Sequence, residues 1–212
     1  MRVRKKKHCA ERLAACSEYL VSRSSELERR PYVLEIGCGK GAFIIEAASR
    51  EPETQFLAME RVPDVLVLAV EKAKAAGLPN LKFIMGDASN LLELIGENEV
   101  SRIYLNFPDP WPKKRHYKRR LTYREYLEKY KRVLVPGGEI RFKTDNDILF
   151  DFALEEFAAC GFELRMLTRD LHSSEYAADN IITEYESLFS SKGVAIKHVV
   201  AVLPKVGAPE NA

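Results

Sequence analysis

Apolar residues gather in short continuous runs along the chain, and between the runs they recur at helical spacing. YVLEI (32–36) ends in glycines and is apolar almost throughout, which predicts a strand covered on both faces. GAFIIEAASR (41–50) predicts a helix and QFLAME (55–60) a second strand. In the next stretch Val65, Leu68, Ala69, Lys72, Ala73 and Ala76 fall at i, i+3, i+4, i+7, i+8 and i+11. That spacing predicts a helix with this stripe inward, Asp64 capping its start and Gly77 ending it. LKFIM (81–85) is a third strand, SNLLELIG (89–96) a short helix and VSRIYLNF (100–107) a fourth strand. Further on, residues 122–134 are helical and PGGEIRFKT turns into a fifth strand. Residues 147–161 form a helix with Leu149, Phe152, Ala153 and Phe157 inward, and FELRMLT (162–168) and VAIKHVVAVLP (194–204) complete the strands.

Strands alternating with helices predict an α/β, Rossmann-like, doubly wound sheet, mostly parallel, with helices on both faces. The last two strands are joined by a long loop and predict an antiparallel pairing at one edge. The expected division is a basic N-terminal extension and helix over 1–30, a main domain over 31–204 and a tail over 205–212. In open sheets of this kind ligands bind beyond the carboxyl ends of the strands. The loops 37–41, 60–63, 86–88, 106–122 and 144–146 all fall at that edge.

The first of these loops reads E-I-G-C-G-K-G (35–41), where Gly37 and Gly39 let a backbone approach a ligand closely. Gly37, Gly39 and Ala42 also fit the G-x-G-x-x-A dinucleotide spacing, so the glycines alone leave a nicotinamide cofactor open. The acids shift the balance. Glu60 ends the second strand about 20 residues on, where a carboxylate can accept from both ribose hydroxyls. Asp87, in G-D-A, can accept from an adenine amino group, and Glu35 stands just before the first glycine. Acids gathered around one pocket repel a pyrophosphate and suit a ligand carrying an ammonium and a sulfonium. S-adenosylmethionine is therefore the favoured cofactor.

The fourth loop, N-F-P-D-P-W-P-K-K-R-H-Y-K-R-R (106–120), is unlike an ordinary surface turn. Prolines 108, 110 and 112 fix φ and continue neither a ladder nor a helix, so they present Asp109 and Trp111 in a preset turn. Asp109 can accept from a base edge; Trp111 can pack beneath a ring or wedge the loop. Charge sharpens the picture. The chain has 33 Lys and Arg against 31 Asp and Glu, yet residues 1–7 hold five basic groups and no acid. Residues 106–120 hold six Lys or Arg against Asp109 alone, which leaves the rest of the chain at −8. Two concentrated basic stretches on an acidic body are the footprint of a polyanion partner.

Composition excludes little else. Of 212 residues 46% are hydrophobic and 30% charged, as in globular proteins. No window approaches the roughly 20 apolar residues of a membrane helix. After MRVRKKK, the segment HCAERLAACSEYL is broken by Glu11, Arg12, Ser17 and Glu18, so it lacks the apolar core of a secretion signal, and a cytoplasmic protein is expected. Cys9, Cys16, Cys38 and Cys160 form no CxxC pair and have no His at zinc spacing, so they read as reduced thiols with no metal.

With these motifs the chain resembles the bacterial tRNA (guanine-N7)-methyltransferases. The resemblance is carried by E-I-G-C-G-K-G, M-E (59–60), G-D-A (86–88), the 106–120 block, K-T-D-N (143–146) and T-E-Y-E (183–186). It spans about residues 2 to 204. It implies an S-adenosylmethionine-dependent methyltransferase fold and methylation of guanine 46 in the variable loop of tRNA. It also implies that Glu35, Glu60, Asp87 and Asp109 face the cofactor, with Asp109 catalytic. Lys113, Asp145, Thr183, Glu184, Tyr185 and Glu186 would contact the target nucleotide. Arg115, His116, Tyr117, Lys118, Arg119 and Arg120 would contact the RNA.

The chemistry suits the residues. Guanine N7 carries an in-plane lone pair and no proton, so attack needs alignment rather than a base. Asp109 is better suited to gripping the N1–H and N2–H edge, or to stabilising charge on the ring, than to removing a proton. Two other readings stay open: a methyltransferase acting on an exocyclic amine of RNA or DNA, and a noncatalytic RNA-binding protein. Monomer and homodimer are equally open.

Overall fold

The apolar runs do form strands, and all seven join one sheet. The computed structural model describes residues 7–205. The basic segment read as a polyanion contact lies outside the described residues except for Lys7, as does the tail beyond Lys205.

The strands are β1 (Tyr32–Ile36), β2 (Phe56–Glu60), β3 (Leu81–Met85), β4 (Val100–Asn106), β5 (Leu134–Thr144), β6 (Glu163–Thr168) and β7 (Lys197–Val202). Their order is β3-β2-β1-β4-β5-β7-β6, with parallel pairing from β3 through β5. β7 runs antiparallel to both β5 and β6, so the antiparallel pairing sits at that side of the sheet with the reversed strand one place in from the edge.

The helices are α1 (Cys9–Ala14), α2 (Ala42–Arg50), α3 (Pro63–Ala75), α4 (Leu91–Leu94), α5 (Arg124–Val133), α6 (Asp147–Ala159) and α7 (Glu184–Ser190). Strand alternation splits the core in two. Leu34, Ile36, Leu57 and Met59 meet Leu127, Tyr130, Leu149, Phe150 and Phe157 from α5 and α6 on one face. Val33, Phe56 and Ala58 meet Phe43, Ile44, Leu66, Ala69 and Val70 from α2 and α3 on the other. Each large side chain buried in this way contributes about 1.5–3 kcal/mol.

Two helix phases differ from expectation. In α3 the buried positions are Leu66, Val67, Ala69, Val70 and Ala73, while Lys72 and Ala76 are exposed. Pro63 supplies the first helical residue behind an extended Val62, so Asp64 lies inside the first turn rather than capping it. Gly77 ends the helix with φ +64° as expected. In α6 Phe150 is fully buried and Phe152 only partly.

Candidate active site

The turn from β1 into α2 is built for close approach. A Cβ on Gly41 would stand 2.8 Å from Ala69 Cβ, so glycine is what lets α2 pack on α3 here. Gly37 and Gly39 also have positive φ, and no protein atom lies within 4 Å of the Cβ position of either. That open side forms the wall of a cleft.

The acids stand around it. Glu60 accepts from Gly39 N–H at 3.1 Å through Oε2 and from Val62 N–H at 2.9 Å through Oε1. Asp87 accepts from Ser89 N–H at 2.9 Å and lies 3.6 Å from Arg61. Partial burial pushes its carboxyl up, but the Ser89 hydrogen bonds and Arg61 outweigh this and hold it below the usual range. Glu35 is buried in β1 and accepts from Asn106 Nδ2 at 2.8 Å. Burial pushes its carboxyl up to about 7, against the opposing pull of Asn106 and Lys143. Glu35 Oε2 and Asn106 Oδ1 are buried acceptors with no partner among the described residues. Two such atoms side by side fit a ligand that brings N–H donors and positive charge.

Two clefts meet at Asn106 and Phe107. The larger, about 1420 Å³ of non-protein space, is lined by Glu60, Asp87, Asp109 and Trp111 among others. The second, about 840 Å³, is lined by Glu35, Gly37, Gly39, Phe43 and residues 183–185. Gly37 is common to both.

The 106–112 segment forms the ridge between them. Phe107 and Trp111 adopt φ of +50° and +42°, left-handed values that cost a non-glycine residue about 1–2 kcal/mol each. They bracket Asp109, which is exposed at the cleft. The run 114–119 then winds into a 3-10 helix. Lys113, Lys114, Arg115, Lys118 and Arg119 are exposed on it. His116 packs edge-on against Trp111 at 5.8 Å, and Tyr117 packs on Tyr123 at 5.2 Å. Arg119 lies over the Trp111 ring at 4.9 Å. Arg120, also expected at the RNA, is buried, with its guanidinium on the backbone carbonyls of Pro110 and Trp111.

The T-E-Y-E motif divides in the same way. Thr183 caps α7 by accepting from Glu186 N–H at 2.9 Å, and the Glu186 carboxylate returns to Thr183 N–H at 3.3 Å. Glu186, expected at the nucleotide, is wholly buried and directs its carboxylate to protein groups. It pairs with Lys143 Nζ at 2.8 Å and accepts from Asn180 Nδ2 at 2.6 Å, with His172 Nε2 2.7 Å away. Burial alone would raise its carboxyl, but Lys143 and these neighbours hold it below the usual range. Thr183 is likewise buried, so Glu184 and Tyr185 are the outward-facing members. Glu184 reaches Lys72 at 3.2 Å. Tyr185 stacks on Phe189 at 4.3 Å and tilts against Phe107 at 5.0 Å. Burial, and then the neighbouring carboxylates Asp145 and Asp109, raise its phenol. Asp145 and Asp109 thus lie near one aromatic stack.

Sequence reasoning left Asn106, Lys143 and His198 without roles. They form a polar row across one sheet face: Asn106 is in register with Lys143, and Lys143 with His198. The signal was polar residues at the ligand-side ends of otherwise apolar strands.

A sheet of this order, with acids and a glycine turn at its carboxyl edge, defines a methyltransferase-type nucleoside site. The profile of a family described as "Putative methyltransferase" matches residues 29–199. The chain is 53% identical over 171 residues to a tRNA (guanine-N(7)-)-methyltransferase of Brevibacillus brevis, covering 81% of this chain and 80% of that one. It is 43% identical to one from Lactococcus lactis subsp. cremoris, over 97% of this chain and 100% of the other. A 16S rRNA methyltransferase structure shares the fold, with a TM-score of 0.59, 17% identity and 96% of each chain covered. The chain belongs to the tRNA (guanine-N(7)-)-methyltransferase family.

Proposed function

We propose that the protein transfers a methyl group from S-adenosylmethionine to N7 of guanine 46 in the variable loop of tRNA. The observation that carries this reading is the meeting of two clefts at Asn106 and Phe107, with an acid-lined nucleoside side and an exposed basic run at the rim. The name shared by the curated relatives supplies the acceptor atom and the RNA class.

S-adenosylmethionine, when bound, supplies an electrophilic methyl on a sulfonium. Glu60 would take the ribose hydroxyls and Asp87 the adenine amino group. Glu35 and Asn106 have the unpartnered acceptors for the amino-acid ammonium. Asp109 would grip the N1–H and N2–H edge of the guanine, with Tyr185 and Asp145 beside it. Lys113, Arg115, Lys118 and Arg119 would meet phosphates around the target, a contact that weakens steeply with salt. The residues hold and align; no side chain has to remove a proton from N7. Among the described residues no helix is long and apolar enough to cross a membrane. A cytoplasmic location fits this reading, since the substrate is tRNA.

Incubating the protein with labelled donor and unfractionated tRNA, then mapping the modified base, tests this. N7-methylguanosine at position 46 is expected. A methylated exocyclic amine, or no transfer with tRNA still bound, overturns it.

A further inference from the structure

Arg120 closes a run of exposed cations yet is itself 6% exposed. Its Nε donates to the carbonyl of Pro110 at 3.0 Å and its Nη2 to that of Trp111 at 3.4 Å. Its guanidinium lies 4.5 Å from the ring centre of Phe152, on α6. Among the described residues no carboxylate pairs with it. A cation buried without a counter-charge costs free energy, so its presence is better explained by what its donors hold than by stability.

What they hold is a proline-rich segment with few hydrogen-bond donors of its own. Pro108, Pro110 and Pro112 have no N–H to donate. Phe107 N–H is anchored on Lys143 O at 2.9 Å. Beyond it, the only hydrogen bonds to residues 108–112 among the described residues come from Arg120. The Asp109 carboxylate has no hydrogen-bond partner of its own among them. Its place over the cleft is therefore set by backbone, tied down at Phe107 before it and at Pro110 and Trp111 after it.

We propose that Arg120 is a positioning residue, a strut between α6 and the 107–112 segment that sets Asp109 for transfer, and not a phosphate contact. The proposal rests on the reading of Asp109 as the residue facing the target base. Because the segment is pinned through two carbonyls and a ring face at once, a lysine cannot replace it: one ammonium has no planar fork to span both carbonyls while stacking.

Trp111 is the chain's sole tryptophan, so its fluorescence reports this segment in the bare protein. The test compares Arg120→Gln, Arg120→Lys and Phe152→Leu with Lys118→Gln. Both Arg120 variants should shift Trp111 emission and raise its quenching by acrylamide about twofold, with Phe152→Leu moving the same way by less. Arg120→Gln should lower kcat about 10²-fold, as expected for a misplaced reacting-site group. Its tRNA Kd should stay within about twofold and its salt dependence unchanged, whereas Lys118→Gln should reduce the slope of log K against log salt by about 0.7–0.9. Arg120→Lys should not restore kcat.

The proposal falls if Arg120→Gln loses salt slope as Lys118→Gln does while Trp111 emission stays put, or if lysine restores kcat. Should Arg120→Gln fail to fold by circular dichroism, unchanged Trp111 quenching in both Arg120→Lys and Phe152→Leu overturns it. The fluorescence needs no tRNA, so a wild-type protein that methylates no tRNA would sink the proposed function and leave the strut to be decided on emission.

Discussion

The two sides of Phe107 are finished to different degrees. On the donor side Glu60 already spans two backbone N–H groups, Asp87 is held by Ser89 and Arg61, and Glu35 is locked to Asn106. On the acceptor side Asp109 has no hydrogen bond of its own among the described residues, and the exposed Tyr185 lies nearby. The donor wall is tied down by hydrogen bonds before any ligand arrives. The acceptor wall is a set of groups held in place through backbone and awaiting partners. A small cofactor that binds in every turnover suits the first arrangement. A base that must be drawn out of a folded RNA suits the second, since an unpaired acceptor and ring faces offset the cost of exposing it.

That contrast can be broken at three points. Asp109→Asn should have the largest effect, a fall in single-turnover rate of about 10²-fold with tRNA affinity within about twofold. Full turnover would remove the unpaired acid from the chemistry. Next comes Glu35. Its folded carboxyl titrates near 7 against an ordinary value of 4.5, so the native state keeps a proton that the unfolded chain releases. The stability it contributes is complete below about pH 4.5 and is lost as pH rises through 7. In urea unfolding, Glu35→Gln should therefore gain roughly 2 kcal/mol on wild type between pH 5 and pH 8. Parallel pH profiles would mean that the acid is ionised throughout. The smallest effect is expected at Glu60→Gln, which should weaken donor binding about tenfold in calorimetry and leave the rate at saturating donor nearly unchanged. An unaltered Kd would confine that carboxylate to bracing the glycine turn.

The strands and the ligand edge were legible because their signal is local. A strand covered on both faces must be apolar throughout, and the turns that follow must admit a ligand. The phase of α3 was not legible: Leu66, Val67, Ala69 and Val70 are all buried, and so wide an apolar face fits several stripes equally well. Side-chain destinations were hidden for a different reason. Arg120 and Glu186 carry charges that belong on a surface, and each is buried by a partner remote in sequence. Phe152 lies on α6, well beyond Arg120 in the chain, and Lys143 reaches Glu186 from β5. Residue type names what a group can bond to, while tertiary contact selects which bond is made. Glu35, Glu60 and Asp87 lie at or just beyond the carboxyl ends of parallel strands, so their placement at one edge of the sheet could be read from the strand pattern alone.

The sheet order also imposes a schedule. β7 inserts between β5 and β6 although it is the last strand in the chain. During synthesis β1 to β5 can pair as they emerge, but β6 must wait for residues 197–202 before it has a neighbour. Lys143 lies on β5, the strand whose open edge β7 fills, and its partner Glu186 is made only shortly before β7 itself. A ribosome-bound chain can thus carry the glycine turn and Asp109 while it still lacks Tyr185. The Lys143–Glu186 pair depends on the same late stretch of chain that closes the sheet.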